Sequence, residues 1–291
     1  MDRVFASLVG GVTLGGLYSL IALGLVLAFR VTYTFNFAHG QFMLLGAFIL
    51  GQWQEHGSGP FPVGLLIALV VPAGVAVLFY VLCLRRTTGL PHWMGLIATF
   101  GLASILDGIM SLQYGVAQYQ IKIPGLPAGT VTIFGARISS ASLLLAGATF
   151  AIAGTVAVLI RSTAVGVRFS AAGQDPVLAS QGGINVSYGY GFAWALAAAL
   201  AAIAGCVYGS TNVVNGSMTE LALLVFPVIL LGGLDSIEGA LIGSIIIGII
   251  QGFAKTYLGG QYLDVVTYSV LLLVLLVRPR GLFGTEQVTK I

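Results

Sequence analysis

The chain has 291 residues, 58% of them hydrophobic and only 7% charged, with a formal net charge of +3. Soluble domains carry roughly 25% charged residues, so this composition excludes a water-exposed globular surface, and the small positive balance argues against a nucleic-acid partner. What fits is a polytopic membrane protein of helices, because the apolar runs are continuous and about 20 residues long, where a barrel shows ~10-residue alternating segments.

The first run, Phe5 to Phe29, is 25 residues without a charge. A cleavable signal has a shorter core and a small-residue cleavage site, so this run reads as a retained span. After Arg30 the pattern breaks in "TFNFAHGQF", residues 34–42, which sets Asn36, His39, Gly40 and Gln41 between two apolar runs. If Asn36 caps the next helix, amides around residues 37 to 40 are left at a helix start and favour a carboxylate or carbonyl, with Gly40 permitting close backbone approach. An ordinary polar turn at the membrane surface fits the same spacing. The run that follows, Phe42 to Gln52, makes a helix of only about 16 Å, short of a ~30 Å core.

Further runs fall at about 61–84 and 93–114, then 140–160 and 188–210, and finally 237–254 and 262–277. Each is long enough, or nearly so, to cross. Between them Leu221 to Leu234 is short, carries Pro227 and ends in Gly232-Gly233. Short, Gly/Pro-interrupted segments in both halves of such a chain point to a substrate pathway. The expected fold is therefore all-α and polytopic, with eight to nine hydrophobic helical elements, short discontinuous half-helices among them, in two pseudo-repeated halves. No domain boundary is visible, so residues 1–291 read as one transmembrane domain.

Basic residues orient the chain. Arg85-Arg86, then Arg161 and Arg168, then Arg278 and Arg280 mark cytoplasmic segments, which leaves 115–139 and 211–220 outside. Lys122 and Arg137 in the external loop 115–139 run against that rule, spread over a longer stretch. The C-terminus is expected inside; the N-terminal side depends on how 42–52 is threaded. In 188–210, Ala193, Ala197, Ala201, Gly205 and Gly209 recur every four residues beside Ala198, Ala202, Cys206 and Ser210, a small-residue ridge for close packing within the subunit. Gly11/Gly15 and Gly239/Gly243 repeat the theme.

The cytoplasmic loop 161–187 contains a helix signal of about two turns: Asp175 to cap, Pro176 at the first position and Gly182-Gly183 to stop. Val177, Leu178 and Ala179 give it an apolar side that either rests on lipid headgroups or docks a cytoplasmic subunit. No G-x-x-x-x-G-K-[ST] phosphate loop is present, so this chain does not hydrolyse ATP by that route. Asp107 is the one carboxylate embedded within a span; a helix-end or interhelical hydrogen-bonding role suits it better than ion coupling. His39, His56 and His92 show no metal spacing, no G-x-S-x-G elbow occurs, and Cys83 and Cys206 read as small hydrophobes within apolar runs. An enzyme and a resident metal or cofactor are not expected.

Three stretches resemble signatures of the membrane subunits of branched-chain amino acid ABC transporters: "NFAHGQFMLLGAF" at 36–48, "VGVRFSAAGQDPVLASQGGIN" at 165–185 and "LGGLDSIEGALIGSIIIG" at 231–248. They stand in the family's order, and the resemblance covers roughly residues 5 to 283. It implies a bacterial inner-membrane permease that works by alternating access, moving branched-chain or hydrophobic amino acids. Relatives also move urea and short amides. The implied partners are cytoplasmic ATP-binding subunits, a second homologous permease and an extracytoplasmic solute-binding protein, with ATP used only in the partner subunits. The resemblance further implies that Gly173, Asp175, Pro176, Ala179, Ser180 and Gly182 belong to the element that docks on the ATPase. Asn36, Phe37, His39, Gly40 and Gln41 would belong to the pathway, with Gly232, Gly233 and Glu238 in the matching region of the second half. Gln41 departs from the family, which commonly has an acidic residue there. The competing reading is an ion-coupled secondary transporter or channel for a small solute.

Overall fold

The structure, a computed structural model, describes residues 2–87, 91–115, 117–133 and 136–284. In chain order the helices are α1 (Asp2–Thr32), α2 (His39–Glu55), α3 (Phe61–Leu82) and α4 (His92–Tyr114), followed by the antiparallel pair β1 (Thr130–Ile133) and β2 (Ala136–Ser139). Then come α5 (Ser140–Ser162), α6 (Ala164–Gln174), α7 (Pro176–Gln181), α8 (Val186–Thr211), α9 (Glu220–Leu224), α10 (Phe226–Gly232), α11 (Ile237–Tyr257) and α12 (Leu263–Val277). Among the described residues, seven helical segments are long and apolar enough to cross a membrane, and they coincide with the seven long apolar runs. The protein is an all-α, multi-span membrane protein.

Of the two short elements, one is longer than expected and the other is interrupted as expected. The segment expected as a half-helix from 42 to 52 is the 17-residue α2, about 25 Å long at 1.5 Å per residue. Its polar ends continue the helix, with Gln41 donating to Asp107 and Gln54 giving and taking hydrogen bonds with the backbone of Lys122 at 2.7 and 2.9 Å. The segment 221–234 is broken into α9 and α10 around Pro227, whose ring suits the first turn of a helix but not its interior. The loop between α4 and α5 also carries an element absent from the sequence reading, the β1–β2 ladder with Val131 opposite Ile138 and Thr132 opposite Arg137.

The chain divides into two compact units. One comprises Met1–Val26, Pro127–Ala153 and Leu224–Ile291, the other Leu27–Leu126 and Gly154–Leu223. In the second unit α8 is the central helix, and it packs against α2 and α3. The small-residue ridge faces inward: Ala193, Ala197, Ala198, Ala201, Ala202, Gly205, Cys206 and Gly209 are all buried. A Cβ on Gly205 would run into the carbonyl of Met43, and one on Gly46 would lie 2.5 Å from Ala202 Cβ. On α3 the inward stripe is Gly64, Ala68, Pro72 and Ala76, while Leu66, Val70, Leu78 and Leu82 point outward. Small residues inside and large aliphatics outside is the pattern of a membrane helix, where lipid offers large side chains as good a solvent as the core and close approach favours small ones.

In the first unit α1 crosses α11 at Gly11 and Gly15, where a Cβ would meet backbone of Gly248 and Ser244 respectively. Beside that crossing, Tyr18 donates to Gln251 Oε1 at 2.6 Å and Gln251 Nε2 donates to Thr267 at 2.8 Å, tying α1, α11 and α12 together. After α12 the chain turns back, and the amides of Leu282 and Phe283 bond the carbonyls of Leu231 and Gly232.

Candidate translocation and coupling sites

The polar string after α1 is built by a sharp break in direction. Tyr33 has φ +48, in the left-handed region, and is the one non-glycine residue of that kind among the described residues. For a bulky side chain such a conformation costs of order 1–3 kcal/mol and persists where the surroundings enforce it. The following residues are buried although polar: Thr34, Asn36, His39 and Gln41 are each less than a tenth exposed. Their backbone is held by the chain itself. Asn36 Oδ1 accepts from the Ala38 amide at 3.1 Å, the Asn36 carbonyl from His39, and Thr99 Oγ1 on α4 from the Phe37 amide at 3.3 Å.

This arrangement corrects the expected cap. The N-cap of α2 is Ala38, with no side-chain hydrogen bond, and Asn36 lies two residues ahead of it in an Asx turn. The amides of residues 37 to 39 are thus already occupied. Gly40 does permit close approach, but to the chain's own backbone: its Cβ would lie 2.5 Å from the Thr219 carbonyl oxygen. Phe37 stacks on Phe100 of α4 at 4.1 Å between ring centroids.

One turn further on, Gln41 Nε2 donates to Asp107 Oδ2 at 3.2 Å. Seven residues further along both helices, Phe48 stacks on Tyr114 at 4.6 Å, so α2 and α4 run side by side in parallel. Asp107 lies fifteen residues from His92 and seven from Tyr114, about 22 and 10 Å along the axis of α4, which places the Gln41–Asp107 pair within that span. Asp107 is nevertheless exposed on this chain, and its helix has a divided outer face. At 100° per residue, Phe100, Gly101, Ser104, Asp107, Gly108 and Ser111 form one strip, and Ile105, Ile109 and Leu112 the adjoining one. Nothing lies within 4 Å of where a Cβ on Gly101 or Gly108 would be. A carboxylate facing lipid costs about 2.5–3.5 kcal/mol even by insertion scales, whereas the aliphatic strip is at home there. Among the buried polar atoms of this region, Gln41 Oε1 and Asn36 Nδ2 have no hydrogen-bond partner.

In the other unit, Gly232 and Gly233 are buried at the end of α10, where Gly232 and Gly239 approach backbone to backbone and Gly233, at φ +109, turns the chain. Ser236 caps α11 by accepting from the Gly239 amide at 2.9 Å, and Glu238 is exposed in the first turn of α11. A carboxylate at that position interacts favourably with the positive helix end.

The residues expected to dock on an ATPase form a separate cluster with those of 27–34. Asp175 caps α7 by accepting from the amides of Val177 and Leu178 at 3.1 and 3.0 Å, Pro176 opens the helix and Gly182 closes it. Ser180 bonds the Val177 carbonyl, Ala179 is buried, and Val177 and Leu178 are exposed by 64% and 61%. The apolar side therefore consists of Val177 and Leu178, with Ala179 turned to the chain's own interior. Sequence reasoning missed α6, whose start is capped by Thr163 accepting from Gly166; a Thr just ahead of an uninterrupted run was the available signal. Gly173 at the end of α6 sits against the carbonyl of Arg30, and Tyr190 of α8 bonds the Ala172 carbonyl at 3.0 Å. A cavity of 230 Å³ lies between Tyr33 and Thr34 on one side and Gly173, Gln174 and Pro176 on the other, with Tyr80 and Tyr190 among its walls. Among the described residues no three His, Cys, Asp or Glu side chains gather as a metal site would require.

Seven helices long and apolar enough to cross a membrane, among the described residues, define a multi-pass membrane protein. The chain matches the family described as branched-chain amino acid transport system, permease component, over residues 7–276, and it belongs to that family. It is 29% identical to the high-affinity branched-chain amino acid transport system permease protein LivH of Escherichia coli K12, over 97% of this chain and 96% of the relative. It is also 29% identical to BraD of Pseudomonas aeruginosa, over 98% and 97%, and 28% identical to the probable LivH of Methanocaldococcus jannaschii, over 95% and 91%. No solved structure matches. As a permease component it is a transport subunit rather than an enzyme.

Proposed function

We propose that this chain carries branched-chain or other hydrophobic amino acids across the cell membrane by alternating access, as one of two permeases driven by separate ATP-binding subunits and supplied by an extracytoplasmic solute-binding protein. The observation that carries this reading is the family match along nearly the whole chain. Relatives named for branched-chain amino acid transport, aligned end to end, support the cargo. Residues 1–291 then act as one transmembrane domain. The seven long spans together with α2 and the α9–α10 segment make nine crossings. With the Arg278 and Arg280 end inside, the N-terminal end lies outside and the 115–139 loop with its hairpin faces the binding protein.

In this reading the exposed Val177 and Leu178 enter a groove of the ATP-binding subunit. Motion of α7 reaches the 33–41 string because both border the same cavity, and Gly173 rests directly on the last turn of α1. Complementation tests this. In a strain lacking its own leucine uptake, the chain supplied with its ATP-binding and solute-binding partners restores uptake, and Leu178→Glu, equally abundant in the membrane, does not. Normal uptake with Leu178→Glu would overturn the docking assignment.

A further inference from the structure

We infer that Gln41 and Asp107 form the point within the membrane at which this permease reads a primary ammonium, that of the amino acid in transit; the inference rests on the amino-acid importer reading above. The pair is joined by the 3.2 Å bond from Gln41 Nε2 to Asp107 Oδ2. Gln41 Nε2 gives one of its two N–H groups to the carboxylate, while Gln41 Oε1 is buried with no hydrogen-bond partner on a side chain 8% exposed. Asp107 offers further carboxylate lone pairs, and it is exposed. The open lone pairs of Gln41 Oε1 and of the carboxylate lie beside a negative charge, so what completes them is a compact cation with several N–H donors, and a primary ammonium has three.

The surroundings say that Asp107 does not look into lipid. Beyond Phe100 it stands in the strip of Gly101, Ser104, Gly108 and Ser111, with Ile105, Ile109 and Leu112 displaced to the neighbouring arc. An intramembrane carboxylate held on a small, polar strip is placed for a water-filled path or a protein neighbour. Position 41 itself is neutral, and Asp107 brings a carboxylate beside it from the adjacent helix. A cationic side chain of the second permease offers the same chemistry as the substrate, and the test separates the two sources.

The experiment uses the complete assembly in proteoliposomes with L-leucine as cargo. Asp107→Asn removes one charge-assisted hydrogen-bond set and is expected to lower uptake by about ten- to a hundredfold while the two permeases still co-purify. The exchange Gln41→Glu with Asp107→Gln, which returns a carboxylate and an amide to the same two helices, is expected to recover most of the uptake. In a Cys83→Ser background, which removes the exposed native thiol, Asp107→Cys is expected to react with a water-soluble cationic methanethiosulfonate. Unchanged uptake in Asp107→Asn, no recovery in the exchanged pair, or an unreactive Asp107→Cys would overturn the inference. So would separation of the two permeases on Asp107→Asn, because the charge would then hold the subunits together. If Asp107→Asn does not reach the membrane, the exchanged pair alone decides. Wild-type assembly that fails to take up leucine would contradict the importer reading instead.

Discussion

Gly205→Ala is the substitution whose consequence the structure specifies best. Gly205 lies where α8 crosses α2, and an added Cβ would overlap the Met43 carbonyl oxygen, lie 2.9 Å from its carbon and 3.1 Å from Met218 Cε. The methionine methyl can rotate away, but the carbonyl belongs to the α2 backbone. Restoring ordinary van der Waals distance requires the two helices to part by roughly 1 Å, which forfeits dispersion along the rest of their contact. Overpacking of this kind costs about 1–3 kcal/mol, a roughly five- to more than hundredfold shift in the folded-to-unfolded ratio. The control is Gly74→Ala on α3, where nothing lies within 4 Å of the new methyl and helix propensity favours alanine. Thermal unfolding of detergent-solubilised protein, followed by fluorescence-detected gel filtration, should place Gly205→Ala several degrees below wild type and Gly74→Ala at or above it. Equal midpoints for the two variants would refute the packing argument.

Gln251→Leu should destabilise the first unit by about 0.6–1.7 kcal/mol, the range of interhelical polar bonds in membranes, since Gln251 bonds both Tyr18 and Thr267. A double-mutant cycle with Tyr18→Phe should be non-additive, and strict additivity would remove the network. Gly40→Ala should impair folding or insertion as well as uptake, because its methyl meets the Thr219 backbone. Comparison of membrane abundance with uptake checks it, and full abundance with lost uptake would return Gly40 to the substrate path. In intact cells with the Cys83→Ser background, Asp2→Cys should label with a membrane-impermeant maleimide and Arg280→Cys should not; the opposite pattern would invert the topology.

The seven long spans were legible because lipid demands about 20 apolar residues in a row, and α7 was legible because Asp175, Pro176 and Gly182 are local signals that need no tertiary partner. The length of α2 was not, because Gln41 and the polar residues 52–54 look like interruptions until their partners, Asp107 and the Lys122 backbone, are brought in from over sixty residues away. The same distance hid the cap. Asn36 has the right chemistry for it, but Thr99 takes the Phe37 amide and the chain turns two residues before the helix begins. Gly40 and Gly232 each lie against backbone, of Thr219 and Gly239, and no local pattern announced those neighbours. Asp107 stood out as an embedded carboxylate, while its neighbour on α2 was beyond the reach of local pattern.

The most direct test of the account is leucine uptake into proteoliposomes holding this chain with its permease, ATP-binding and solute-binding partners, with nucleotide supplied to the ATP-binding side. Uptake that requires ATP and survives ionophores that dissipate proton and sodium gradients is the predicted result. Uptake that continues without ATP and collapses when those gradients are dissipated would contradict it and identify an ion-coupled carrier.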